Sequence, residues 1–389
     1  MRNAEVVIIG GGVIGASVAY HLTRAGCRDV VILEREAQQG LGSTGKATGG
    51  VRAQFSTDIN IAMSLYSLEF FGLFTEATGM ECGYEPRGYL FVASSEAQLG
   101  YLKANRELQL GQGLTNVEIW DRDEVARQVP SLRVDEVVGA SFCPTDGFID
   151  PLAVMAGFTA AAVRDGARLE LGTEVIDIET QGGKISAVET NRGRIGAQTV
   201  VCAAGAWAGQ VARMAGVDLP VQPLRRQIVW ATTDCPLPEG LPMVIDLASG
   251  FHFRPARGPV KNELLLAWPD PAEPTSFRTD FDDEFVPKTL DQSDRLAPFL
   301  RTVKVDRERC RAGLYEMTPD HHAIIGPAPG VDGLYLVNGF SGHGVMHSPA
   351  AGRMIAETVL LGRSEFMDAT PLAATRFSEN RMLHETAFI

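Results

Sequence analysis

Val6-Val7-Ile8-Ile9-Gly10-Gly11-Gly12-Val13-Ile14-Gly15 is the stretch on which the fold turns. Four β-branched residues in an unbroken row suit a strand buried on both faces, because a strand with one wet face would alternate. The glycines follow at once in the pattern G-x-G-x-x-G. Gly10 permits a tight turn, Gly12 lets the backbone approach a pyrophosphate, and Gly15 lets a helix pack on the strand. Val13 to Ala25 reads as that helix, with Ile14, Val18 and Leu22 on one stripe and Gly26 as its stop. Val30-Val31-Ile32-Leu33 is a second apolar run, so residues 6–34 form a β-α-β unit with parallel strands. The N–H groups that open the helix, Val13 and Ile14 among them, are suited to an anion. Glu34 ends the second strand, where an acid binds ribose hydroxyls and repels the extra phosphate of NADP; Arg35 beside it is counted with the same site. A plain glycine turn with a surface acid is the bland alternative. NAD and FAD both satisfy the fingerprint.

The rest of the chain sets limits. Its 389 residues allow two or three domains. With 35 Lys and Arg against 48 Asp and Glu, the net charge is −13, and no basic field for nucleic acid is visible. No run of eighteen apolar residues suggests a membrane span. The start, Met1 to Glu5, runs straight into the first strand and leaves no room for a signal peptide, so a soluble cytoplasmic protein is expected. Six cysteines without a CxxC pair indicate neither a disulfide framework nor a zinc site, and no metal-ligand spacing stands out elsewhere.

Further along, Gly40 to Gly50 reads as a loop, Ile59 to Phe74 as a helix and Gly88 to Val92 as a strand. Thr199 to Gly205 reads as a buried strand entering a turn. Residues 221–315 read as an antiparallel sheet, with strands at Gln227–Trp230, Gly250–Arg254 and Glu263–Ala267. Leu334–Asn338, a glycine loop and a helix from about Pro349 to Leu361 close the chain. Dinucleotide-type elements at both ends with sheet between them predict two interleaved domains, α/β in class and α+β overall. A Rossmann-like domain takes 1–83, 144–220 and 316–389; an antiparallel-sheet domain takes 84–143 and 221–315.

Five blocks carry a resemblance. Residues 5–15, Gly42-Ser43-Thr44 through Arg52, Ala203 through Ala208, Met317-Thr318-Pro319-Asp320 and Gly339-Phe340-Ser341-Gly342-His343-Gly344 resemble, in order, the D-amino acid oxidase superfamily. Within it the chain is most similar to sarcosine oxidase, glycine oxidase and the β subunits of heteromeric sarcosine oxidases and proline dehydrogenases. The resemblance implies FAD as cofactor, bound by the first domain, and oxidation of the C–N bond of a small primary or secondary amino acid by hydride transfer from Cα to flavin N5. The imine formed would hydrolyse, and electrons would go to O2 or to a partner subunit.

The resemblance also implies roles by position. Ser43 and Thr44 would lie near the pyrophosphate or ribityl chain, with Lys46, Ala47, Thr48 and Gly49 crossing the flavin. Val175, Ala204, Gly205 and Trp207 would serve the adenosine end. Gly339, Gly342, His343, Gly344 and Val345 would face the flavin pyrimidine. Arg52 matches an arginine that holds the substrate carboxylate, and reads otherwise as a solvated surface arginine. His252 falls beside flavin N5 and reads equally as a satisfied strand histidine. Tyr315 is a substrate hydrogen-bonder or a packed aromatic. Three positions depart from relatives: Lys46 stands where some have a flavin-linked histidine, Gly313 where others have a flavin-linked cysteine, and Met346 where a lysine helps to bind carboxylate. Noncovalent FAD is therefore expected. His321 and His322, being adjacent, diverge and read as structural.

Overall fold

The computed structural model describes residues 2–257 and 262–386. The β-α-β unit forms as its sequence dictates. Val6–Ile9 and Val30–Leu33 pair in parallel and are buried along their whole length. The helix between them runs Val13–Arg24, and Gly26 follows at φ +100°. These strands sit inside a six-stranded sheet in the order Ile324–Pro327, Leu334–Asn338, Thr199–Cys202, Val6–Ile9, Val30–Leu33, Arg168–Glu170. Only the outermost pair, Ile324–Pro327 with Leu334–Asn338, is antiparallel. The carboxyl ends of Val6–Ile9 and Thr199–Cys202 therefore lie side by side, which is where open α/β sheets bind ligands.

A nine-stranded sheet lies against this unit. Its backbone is Gln222–Thr232, which pairs antiparallel with Glu263–Ala267, with Lys304–Val305 and, over its first half, with Arg311–Met317. One expectation is corrected: the sheet is not wholly antiparallel, since Met243–Asp246 runs parallel to Tyr89–Ala93. Tyr89–Ala93 belongs to an early excursion of the chain and Met243–Asp246 to a later one, so no hairpin dictates their relative direction. A four-stranded sheet, Arg2–Asn3, Gly193–Gly196, Lys184–Thr190 and Val175–Gln181, completes the set beside a two-stranded ribbon of Gly50–Val51 and Gly147–Phe148.

Two helices differ from expectation. The helix of residues 59–74 is two pieces, Asp58–Gly72 and Phe74–Thr78, broken at Leu73. The final helix spans Gly344–Leu361, beginning five residues before Pro349. Proline inside a helix leaves one carbonyl without its amide donor. Here Val345 O accepts instead from Ser348 Oγ at 2.8 Å, which lets the helix start early. Ser348 O in turn accepts from Ser17 Oγ of the first helix at 2.7 Å, and a Cβ on Gly352 would lie 2.2 Å from that hydroxyl oxygen. The first and last helices thus cross in close contact. Among the described residues, no helix is long and apolar enough to cross a membrane, and no cluster of His, Cys, Asp and Glu could hold a metal ion.

Candidate active site

A cavity of about 600 Å³ is lined by residues from both large sheets. At one end the backbone makes it. Gly10 has φ +110°, and a Cβ there would lie 2.4 Å from Ala203 O, so only glycine fits. Gly12, Val13 and Ile14 line the wall beside it. Gly15 does not reach the cavity; a Cβ on it would lie 1.9 Å from Gly10 O, so its task is the approach of helix to strand. Glu34 is held at the end of its strand by N–H donors from Gly11 at 2.9 Å and Glu36 at 3.0 Å. Near it, the Arg35 guanidinium lies 3.9 Å over the Trp207 ring, which stacks on Phe277 at 5.8 Å, with Val175, Ala204 and Gly205 lining the same end.

The loop Ser43–Gly49 crosses the middle. Thr44 Oγ1 accepts from the Val13 N–H at 3.1 Å, and Ser43 Oγ donates to Leu314 O at 2.7 Å. Arg311 donates to the carbonyls of Lys46 and Ala47, and Arg254 to that of Thr48, so this stretch is pinned to the nine-stranded sheet. Lys46, Ala47, Thr48, Gly49 and Gly313 all line the cavity. A Cβ on Gly313 would lie 2.9 Å from Lys46 Cβ, so these two positions touch each other. Partial burial lowers the Lys46 pKa.

At the other end side chains make the wall. Arg52 is 2% exposed and lines the cavity; its guanidinium lies 3.8 Å over the Phe55 ring, donates to Gln54 O and faces His343 Nε2 at 3.4 Å. Burial lowers its pKa, opposed by Glu385, Tyr89 and Asp146. Asp146, which accepts from Ala53 N at 2.7 Å and Gln54 Nε2 at 3.0 Å, is pushed by burial up to about 6. His252 and Tyr315 line the same end. Burial takes His252 down to about 4, so the ring is neutral at pH 7. Its Nδ1 lies 2.9 Å from Gly250 O, which fixes the proton there and leaves Nε2 as an acceptor. Tyr315 packs against Gly342, where a Cβ would lie 2.4 Å from the ring. Gly342, His343, Gly344, Val345 and Met346 line the cavity at the start of the final helix. Gly339 does not: it is turned at φ +74° against Thr318, where a Cβ would lie 2.4 Å from the methyl group, so it serves the turn and not the cavity wall. His321 and His322 also stay outside the cavity lining; His322 bonds Asp320 O and Thr57.

Residues 5–358 match the family described as DAO, FAD dependent oxidoreductase. The chain belongs to that family. The flavoenzyme is 31% identical to FAD-dependent oxidoreductase domain-containing protein 1 of Bos taurus, over 97% of this chain and 85% of the relative. It is 29% identical to mitochondrial dimethylglycine dehydrogenase of Mus musculus, over 97% of this chain but only 44% of that longer protein. Among solved structures it resembles L-proline dehydrogenase from P. horikoshii, with TM-score 0.89 and 28% identity over 98% of this chain and 100% of that one. Glycine oxidase from Geobacillus kaustophilus follows the same fold, with TM-score 0.85 and 26% identity over 97% and 99%.

FAD suits the residues present. The Gly10 turn admits no side chain, a carboxylate is held ready at the end of the second strand, and the cavity continues to a second helix N-terminus at Gly344. Glu316 and Arg226 are among the lining residues that the sequence reading did not single out. Glu316 accepts backbone N–H groups from Gly339 and Phe340, is pushed by burial up to about 7, and has an Oε2 buried without a partner. Arg226 lines the cavity beside the Tyr315 ring, 5.8 Å away. The Arg225-Arg226 doublet within a strand gives only half a signal for it, since alternation sends the two side chains to opposite faces without saying which one meets the cavity.

Proposed function

We propose that this flavoenzyme oxidises the C–N bond of a small primary or secondary amino acid, of the glycine, sarcosine, proline or D-amino acid type, with FAD held noncovalently. The observation that carries the reading is Arg52, a guanidinium buried in the cavity wall at the end opposite Glu34. A fixed fork there binds a carboxylate in one orientation and so fixes where Cα lies. His252 Nε2 is positioned to accept a hydrogen bond from the substrate nitrogen. Burial raises the Tyr315 pKa, so its hydroxyl stays protonated and can donate to the substrate. When bound, FAD supplies the electron sink that takes the hydride from Cα. The imine product then meets water and hydrolyses. In this reading residues 1–83, 144–220 and 316–389 hold FAD, while 84–143 and 221–315 wall the substrate. Gly313 and Lys46 offer no cysteine or histidine for a covalent flavin link.

Glycine, sarcosine, proline and D-amino acids should be added anaerobically to the yellow holoprotein while flavin absorbance is followed. Bleaching by at least one of them is expected, and none by amines without a carboxylate. No bleaching by any amino acid refutes the reading. Acid precipitation should leave all flavin in the supernatant; colour in the pellet refutes noncovalent binding. The likeness to a protein named L-proline dehydrogenase supports a second reading, in which electrons pass to an acceptor other than O2, such as a partner subunit. Reduced flavin that persists in air-saturated buffer supports it.

A further inference from the structure

The two consecutive arginines of strand Gln222–Thr232 are treated in opposite ways. Arg225 points away from the cavity and is matched with acid: it makes two hydrogen bonds to the Glu273 carboxylate, at 2.9 and 3.0 Å, and lies within 4 Å of Asp280 and Asp282. Arg226 points the other way. Its register partner is Gly313, and the next pair on that face is Leu224 with Tyr315, so it shares the cavity face of the sheet. There its guanidinium meets the Tyr315 ring at 5.8 Å but makes no hydrogen bond or ion pair with any described residue, and its Nε is buried without an acceptor. A guanidinium has five donors and does not lose its charge, so partial burial without a partner is costly unless an anion arrives. Arg52 bounds the same space, since the Tyr315 phenol and the His252 ring each stand in the field of both arginines.

We propose that Arg226 binds a second anionic group of the substrate, so that the preferred amine is a dicarboxylate or an equivalent dianion, with one carboxylate on Arg52 and the distal one on Arg226. The inference rests on the amino-acid oxidation proposed above and narrows its substrate class. It makes Arg226 a specificity residue with no part in removing hydrogen from Cα. It also gives this acidic protein, of net charge −13, a locally cationic pocket for a dianion.

Two substrates that differ only in the distal group test it: N-methylaspartate and N-methylalanine, compared by kcat/KM and by anaerobic flavin reduction. The native holoenzyme should prefer N-methylaspartate. Arg226→Met should lower the aspartate-to-alanine ratio of kcat/KM by about 100-fold, the scale for leaving a desolvated charge unpaired. Arg226→Lys, which keeps charge and loses the fork, should restore part of that ratio and keeps the test available if the Met variant folds poorly. An unchanged ratio, with both substrates falling together, overturns the proposal and returns Arg226 to a role toward the shared carboxylate or the flavin. In that event flavin bleaching still upholds the amino-acid reading. If neither substrate nor any amino acid bleaches the native enzyme, the amino-acid reading itself falls and takes this inference with it.

Discussion

The two ends of the cavity are built by different means. At the nucleotide end the chain presents backbone: Gly10 and Gly12 beside an open helix start, with Glu34 fixed by two amide donors. At the substrate end it presents side chains from segments far apart in sequence: Arg52, Arg226, His252 and Tyr315. A backbone site is specified locally, because a glycine turn and the helix after it occupy one short stretch. A side-chain site is specified by topology, because only the pairing of Gln222–Thr232 with Arg311–Met317 sets Arg226 near Tyr315. The first should tolerate little change in shape, the second little change in charge.

The sharpest way to break that contrast is at a glycine. Gly15→Ala places a methyl group 1.9 Å from Gly10 O if nothing moves. The helix must then leave the strand, at a cost of about 3 kcal/mol or more. Thermal melts should show a large drop in Tm together with loss of bound flavin; a variant with native Tm and full flavin would mean that the nucleotide end is not defined by backbone fit.

Arg52 is the corresponding test at the other end. Arg52→Met removes the guanidinium and should cost about 2–5 kcal/mol in kcat/KM toward carboxylate substrates, while flavin content stays native. Native turnover in this variant would disqualify Arg52 as the carboxylate anchor. Glu34→Ala should spare turnover at saturating FAD but weaken FAD binding by about 1.5–3 kcal/mol, the scale of hydrogen bonds to a charged group. Flavin titration of the apoprotein checks this, and an unaltered dissociation constant would leave Glu34 as a strand-end clasp for Gly11 and Glu36 only.

The expected effect at Glu316 is on stability and not on catalysis. Burial raises its carboxyl from an ordinary 4.5 to about 7, so the folded protein keeps a proton that the unfolded chain has already lost. The stabilisation this proton linkage gives is full below about pH 4.5 and fades as pH climbs through about 7. Glu316→Gln is neutral throughout and lacks the effect. Native stability relative to the variant should therefore decline between pH 5 and 8, by about 2–3 kcal/mol. A difference that stays flat across that range would show that Glu316 titrates ordinarily.

The same division explains what could be read from the sequence. The β-α-β unit, the glycine turn and Glu34 were legible because each depends on neighbours along the chain. The start of the final helix was not. Proline is favoured at a first helical turn, so Pro349 reads as a beginning. What overrides it is a local hydroxyl, Ser348, that supplies the donor proline lacks. The parallel pairing of Met243–Asp246 with Tyr89–Ala93 was hidden because some 150 residues, counted along the chain, separate the two strands. Arg226 was hidden for a related reason. Alternation shows that Arg225 and Arg226 diverge, but nothing in the doublet says which face carries Glu273 and which carries the cavity.

The crossing of the first and last helices at Ser17, Ser348 and Gly352 has a mechanical meaning. Each helix brings its amino-terminal turn to the cavity, one at Val13 and the other at Gly344, and the crossing lies within about two turns of both. The two ends therefore cannot slide independently, and the crossing acts as a fixed gauge for ligand length. A methyl group added at Gly352, remote from every reacting atom, would reset the opening between them.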